Sequence, residues 1–256
     1  MTQALFMARL RKEGAVINPL MGAPGFNYQY ITIDVLHCMD LGVTADAIGN
    51  LFWMLLGTVY KGGSKKTQVE ALFVNLKAFY RRSNAHCRLQ KLTQEMIKGE
   101  KKGPKIRAKG GECRCLVPFA AQQAEELYLS DPNENPLFFT VYKAFSCLMD
   151  VYMCMSHIPF DANIYGLLCR QFLLLYKAIG AKAKKPLWKI KPKFHLMQEL
   201  GEFMSVELGS PEHFWAYKDE SYVGFIAQIA SSRGGQNNAG TTPNRVIQRV
   251  RALTVE

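Results

Sequence analysis

Three segments of this 256-residue chain place ligating or proton-transferring side chains beside apolar runs. The first is Asp34-x-x-His37-x-x-Asp40, inside the stretch ITIDVLHCMDLGV at residues 31–43. If a strand ends at Asp34, its carboxylate is held at a strand terminus, where a rigid element can aim a metal ligand. If a helix starts there instead, Asp34 is an N-cap, and His37 and Asp40 fall on adjoining helix faces. The second segment is Lys191-Pro192-Lys193-Phe194-His195, with the histidine opening a helix either as a surface or capping residue or as a ligand. The third is Trp215-x-x-Lys218-Asp219-Glu220, where Glu220 enters an amphipathic helix expected to bury Val223, Ile226, Ala227 and Ala230. On its own this last segment is an acidic first turn favoured by the helix dipole.

Other residues with metal-binding chemistry read as structural. Seven cysteines stand at positions 38, 87, 113, 115, 147, 154 and 169, odd in number and irregular in spacing. That pattern implies reduced thiols in an intracellular compartment rather than a disulfide framework. Cys113 and Cys115 form C-x-C without a second pair at zinc spacing, so His86 and Cys87 would complete a site only through tertiary placement. Met149, Met153, Cys154 and Met155 recur at helical spacing and read as core fillers.

The net charge of +11 is unevenly placed. Residues 61–115 carry 15 basic and 4 acidic side chains, and residues 177–193 carry 7 lysines and no acid. Two basic segments therefore flank an acidic, apolar middle, and such stripes are the electrostatic footprint expected of contact with a phosphate backbone. A solvated basic face that serves only solubility would look the same in sequence. The candidate nucleic-acid contacts are Lys101, Lys102, Lys105, Arg107 and Lys109 in a glycine-rich basic arm (residues 99–111), with Lys184, Lys185, Lys191 and Lys193 in the second segment. No apolar run reaches the length of a bilayer span, the longest candidate being IGNLFWMLLGTVY at residues 48–60, so no membrane partner is expected.

The elements that would position these groups are mostly helices. Punctuation at residues 17–30 reads as an irregular lead-in, followed by a short strand candidate, YITIDVL, ending near Asp34. Helical periodicity covers 46–60, a long amphipathic stretch from Thr67, and 112–128. The turn SDPNENP offers Asp131 or Asn133 as a cap ahead of Pro136, and two apolar helices follow at about 136–156 and 161–179. A last short helix is expected at 243–253. The fold class is mainly α, with one or two short strands, in three segments: 1–45, 46–180 and 181–256.

Taken together, the three segments resemble the second half of the RNase H-like catalytic domain of DDE-type DNA transposases, closest to lineages with a helical insertion such as the Plavaka, CACTA and KDZ groups. There a D-x-[LM]-H-x-x-x-x-G segment supplies the second catalytic aspartate, matched by Asp34, Leu36, His37 and Gly42. A long helical insertion follows, matched by residues 46–180. A P-K-x-H segment is matched by Pro192, Lys193 and His195, and a W-x-x-[RK]-x-E segment by Trp215, Lys218 and Glu220. The resemblance, covering roughly residues 17–230, implies a remnant of an RNase H-like α/β core and a nuclear location. It implies Asp34 and Glu220 as ligands of Mg²⁺ or Mn²⁺, with His37 beside them, for phosphoryl transfer on DNA. The family's first aspartate has no counterpart, because the 33 residues before Asp34 contain no aspartate. The expectation is therefore a fragment or a descendant with half a catalytic core, inactive alone and needing no cofactor, that binds DNA or RNA. The rival expectations are a scaffold subunit with a protein partner or a second copy, and an active enzyme whose third carboxylate comes from Asp40, Asp219 or a partner chain.

Overall fold

A computed structural model of the chain describes residues 31–97, 103–131, 135–183 and 187–231, together with positions 8, 12, 13, 24, 27, 243, 244 and 246–248. The fold is mainly helical. The chain divides into two compact units, Met1–Phe214 and Trp215–Glu256. This division falls at 214/215, beyond the segment limits read near residues 45 and 180.

In the first unit a helix, α1, begins as a π-helical segment, Leu36–Thr44, and continues as an α-helix, Ala45–Leu55. It is almost wholly buried, with Ala47, Ile48, Leu51, Phe52 and Leu55 in the core and the polar Asp46 and Asn50 buried among them. α2 (Lys65–Arg82) starts where Ser64 Oγ accepts the Thr67 N–H at 3.2 Å. It buries the stripe Val69, Leu72, Leu76 and Tyr80. The one-turn helix α3 (Gln94–Ile97) leads to α4 (Gly110–Leu129). Glu112 starts α4 by accepting the Lys109 N–H at 2.8 Å. α5 (Pro136–Met155) and α6 (Ala162–Lys182) form the most extensively packed pair, and α4 lies against α5.

The caps around this pair are local. Asn135 Oδ1 accepts the Leu137 N–H at 3.1 Å, with Pro136 in the first turn. This corrects the expected cap: Asn135 is adjacent to the proline, Asp131 is too far upstream, and residue 133 lies outside the described residues. Asp161 Oδ1 accepts the N–H groups of Asn163 and Ile164 at 2.9 and 3.0 Å, starting α6. α7 runs as Pro192–Glu199, a π-helical Leu200–Met204 and Ser205–Leu208, packing on α6 and on the π-helical start of α1. A 3₁₀ turn, Pro211–Phe214, ends the unit.

Three expectations change. No strand occurs at 31–34: Ile31 is exposed, the Ile33 N–H meets Met204 Sδ at 3.2 Å, and no sheet exists among the described residues. Next, the described part of the basic arm is docked rather than free. Ile106 is 1% exposed, its N–H reaches the Ala45 carbonyl at 2.9 Å, and Gly49 admits it, since a Cβ there would lie 2.4 Å from Lys105 Cα. Finally, α5 and α6 are long and apolar enough to cross a membrane, which no segment was expected to be. Their few charges break every apolar run yet leave the average apolar, and both helices supply core residues such as Phe145, Leu148, Tyr165 and Phe172.

The second unit holds α8 (Tyr217–Ser231), with Glu220 in its first turn as expected. Val223 and Ala227, expected to be buried, are exposed, as are Tyr222 and Phe225. The expected helix at 243–253 lies largely outside the described residues.

Two tests follow from this packing. Gly166 on α6 meets Gly201 on α7 so closely that a Cβ at 166 would lie 2.7 Å from the Gly201 carbonyl oxygen, whereas one at Gly224 would meet nothing within 4 Å. Gly166→Ala is expected to lower unfolding free energy by about 1–3 kcal/mol in urea titrations. Gly224→Ala is expected to raise the helicity of α8, by roughly 0.5–1 kcal/mol of local helix stability read from amide exchange. Burial also pushes the thiols of Cys38 and Cys113 up to about 12 and that of Cys147 to about 11, and raises Cys169. These groups stay neutral when folded but ionise near 9 when unfolded, so the unfolded chain loses protons first as pH rises. Stability is expected to be insensitive to them below pH ~8 and to fall above pH ~9 by about 1.4 kcal/mol per thiol per pH unit, seen as a declining urea midpoint.

Candidate nucleic-acid interface and the buried polar centre

Asp34, His37 and Asp40 lie at the start of α1, and Lys105, Lys191 and Lys193 reach this helix from two distant segments. Three backbone carbonyls of this helix accept donors from distant parts of the chain. The His37 carbonyl accepts from Lys193 Nζ, the Leu41 carbonyl from Lys105 Nζ at 2.6 Å, and the Ala45 carbonyl from the Ile106 N–H. Lys193 can reach His37 because its stem crosses Gly42, where a Cβ would stand 2.5 Å from Lys193 Cδ. Cys38 Sγ adds a contact of 3.5 Å to the Lys193 carbonyl.

Asp34 is the N-cap of this helix. Its Oδ1 accepts the Leu36 N–H at 3.1 Å and its Oδ2 the His37 N–H at 3.0 Å, while His37 Nδ1 lies 2.5 Å from the same Oδ2. Of the two readings open in sequence, the capping one describes the geometry. The His37 ring is half exposed, oriented by the carboxylate rather than held in a pocket.

Asp40 has another role. It is fully buried, with Oδ1 accepting from Tyr152 Oη at 2.5 Å and Oδ2 from Arg114 Nη2 at 3.1 Å. Tyr152 Oη also lies 2.7 Å from Thr44 Oγ1, and the Arg114 guanidinium covers the Tyr152 ring at 5.3 Å. On its outer side Arg114 Nη1 is 3.7 Å from Glu212 Oε1, which accepts from Ser156 Oγ at 2.6 Å. Burial, then the Asp40 charge, hold the Tyr152 hydroxyl well above its ordinary range, so it remains a donor. Asp40 is thus corrected as a stand-in for a missing catalytic carboxylate: it is sealed from solvent and engaged on both oxygens. Arg114, Tyr152 and Glu212 were missed by sequence reading, because nothing in local spacing marks partners 74–172 residues from Asp40.

A third acid, Asp46, is 2% exposed and pairs with Lys191, Nζ to Oδ1 2.6 Å. One turn along, Asn50 Nδ2 donates to the carbonyls of Asp46 and Pro104 at 2.7 and 3.3 Å, and Asn50 Oδ1 accepts the Trp188 N–H at 2.8 Å. Burial lowers the Lys105 ammonium from the ordinary lysine range, opposed by nearby Asp46 and reinforced by Lys193 and Lys191.

The candidate nucleic-acid contacts therefore part into two groups. Lys105, Lys191 and Lys193 bond inward to the fold, while Arg107 and Lys109 are exposed. Residues 101, 102, 184 and 185 lie outside the described residues. Further exposed cations stand at Lys66, Lys77, Arg81 and Arg82 of α2 and at Lys91 beyond it, and none forms an ion pair with another described residue. His195 is a surface residue, 3.2 Å from Glu199 one turn on. In the second unit Lys218, Asp219 and Glu220 are exposed at the start of α8, and the Trp215 ring packs edge-on against Tyr217 at 5.3 Å.

Among the described residues no three His, Cys, Asp or Glu side chains are grouped to hold a metal ion. The donor set at the start of α1 does not by itself fit a divalent cation, which needs several oxygen ligands. It offers one carboxylate, already accepting two backbone N–H groups and facing an imidazole.

The buried centre yields a graded test. Arg114→Met leaves the Asp40 charge without its counter-ion and is expected to cost about 3–5 kcal/mol. Tyr152→Phe removes one donor and is expected to cost about 1–3 kcal/mol. Denaturant unfolding of both variants checks the order, and equal losses would argue against a charge at Asp40.

No family model, no curated protein and no solved structure matches this chain.

Proposed function

We propose that this chain is a nucleic-acid-binding protein derived from the catalytic half of a DDE-type transposase, working through its exposed cations rather than as an isolated nuclease. The observation that carries the binding function is the set of exposed side chains at Lys66, Lys77, Arg81, Arg82, Lys91, Arg107 and Lys109, on α2, the loop after it and the entry to α4. Lys66, Lys77 and Arg81, spaced by eleven and four residues, fall along one stripe of α2. Cations left outside ion pairs release counterions when they meet phosphates, which gives sequence-tolerant, salt-sensitive affinity.

Support for the ancestry comes from two of the three motif segments. Residues 34–42 and 192–195 are about 150 residues apart in sequence, yet Lys193 seats its stem on Gly42 and its ammonium on the His37 carbonyl. A pairing of this kind gives a physical reason for glycine and lysine to stand at those motif positions.

A second reading, an interaction subunit bound to another protein or a second copy, is favoured by one observation. Phe139, Met153, Ile164, Leu167 and Leu174 on α5 and α6 are large, apolar and exposed.

Fluorescence anisotropy with duplex and single-stranded oligonucleotides across a salt series separates the two. Log affinity is expected to fall linearly with log salt. Combined Lys77→Glu, Arg81→Glu and Arg107→Glu should weaken binding on the order of 10- to 100-fold and flatten the slope by about 3. Lys105→Ala should lower stability while leaving the slope unchanged. Absence of binding at low salt, or indifference to the triple reversal, would transfer the case to the interaction reading.

A further inference from the structure

Cys87 and Cys115 lie in different elements, 28 residues apart, and the fold brings them together. Cys87 is an exposed residue in the irregular loop between α2 and α3, with its sulfur turned towards Gly111 of α4. The loop is anchored on both sides of it: Leu89 and Leu92 are buried, and Tyr80 Oη accepts the Leu89 N–H at 3.2 Å. Gly111 makes the seat. A Cβ at Gly111 would lie 3.2 Å from Cys87 Sγ and 3.9 Å from Cys87 Cβ, so the missing side chain is what lets the loop approach α4. Cys115 is one turn further along α4, and helical side chains lean back over the preceding turn, which here is Gly111. Cys115 is half-buried at the edge of the same seat. After burial, the neighbouring Cys115 sulfur is the next influence that keeps the Cys87 thiol above its ordinary range.

Cys169 has Cys147, Cys154 and Cys38 as neighbours, but Cys169, Cys147 and Cys38 are enclosed in the core. Cys38, Cys113, Cys147 and Cys169 are buried. Cys113 faces away from Cys115 across α4, with its Sγ towards the Ala108 carbonyl. Cys154 is directed to the Asp161 carbonyl.

We propose that Cys87 and Cys115 form a reversible disulfide that responds to oxidation of the surrounding small-thiol pool and ties the loop carrying Arg88 and Lys91 to α4. In the first step the Cys87 thiolate attacks one sulfur of a small-molecule disulfide such as oxidised glutathione. A mixed disulfide forms and one small thiolate leaves. The Cys115 thiolate then attacks the Cys87 sulfur, the intramolecular S–S bond forms, and the second small thiolate leaves. The two protons released by the protein thiols end on the two small thiols, and two electrons pass from the protein to the small disulfide. Cys87, the more exposed residue, is the point of attack and Cys115 the resolving thiol; because the Cys87 thiol is held up, the exchange is expected to quicken as pH rises.

The test uses the full chain equilibrated in oxidised and reduced glutathione at a series of ratios, quenched with acid, alkylated and read by intact mass and peptide mapping. The expected product has lost two hydrogens and yields one linked peptide pair, Cys87 with Cys115, reverting as the ratio becomes reducing. Cys115→Ser should stop at the glutathione adduct on Cys87. The same reaction in denaturant measures how often this pair forms by chance, which keeps the test valid if Cys115→Ser fails to fold. A native yield no higher than the denatured one would overturn the proposal, as would a stable adduct on Cys87 in the unaltered chain. Mass and mapping read the bond whether or not the basic face binds nucleic acid, so the two proposals fail separately.

Discussion

A carboxylate with no access to water must be surrounded by donors, and Asp40 sets that requirement at the centre of this protein. Its two oxygens are met by Tyr152 from α5 and Arg114 from α4, so three helices are held in one register by one charge. The attraction between the ions largely offsets their desolvation, so such a centre adds specificity more than net stability. It penalises every arrangement in which Arg114 or Tyr152 lies elsewhere. Glu212 and Ser156 extend the same logic outward, bringing the end of the first unit back to the loop between α5 and α6.

The second constraint lies in the backbone of α1. The Leu41 and His37 carbonyls accept from Lys105 and Lys193, and those lysines bring with them the chain on either side of them. Residues 103–107 cross α1 at Gly49, and residues 188–193 approach through Asn50 and Asp46. A buried helix thereby becomes the organiser of two segments that look, in sequence, like solvated basic linkers. Lysine suits this role because its long apolar stem can lie on a glycine or along a helix while only the ammonium needs a polar partner.

What was legible in the sequence was local. The amphipathic periods of α2 and α4, the apolar pair α5 and α6, the turn before Pro136 and the helical start around Glu220 all depend on residues within a turn or two. What was not legible depended on distance. The partners of Asp40 lie 74 and 112 residues away, and the docking of the arm depends on Gly49, which reads locally as an ordinary small residue. The strand expected before Asp34 fails for a related reason. Alternating apolar residues can make a strand only where another strand is available to pair with them. Here the Ile33 N–H meets a methionine of α7 instead. The apolar face of α8 reads as buried by periodicity alone, yet periodicity records a stripe and not what covers it.

The charge pattern carries the same lesson into function. A net charge of +11 counts every lysine equally, while the fold does not. Lys105, Lys191 and Lys193 are bound to carbonyls or to Asp46, and releasing them to a phosphate would leave those acceptors without donors. Among the described residues, the cations left exposed and outside ion pairs include those along α2 and Arg107 and Lys109. Lys191 and Lys193 stand out in the sequence because they flank a recognisable segment. In the fold that segment packs against the start of α1, and its lysines are spent on that packing.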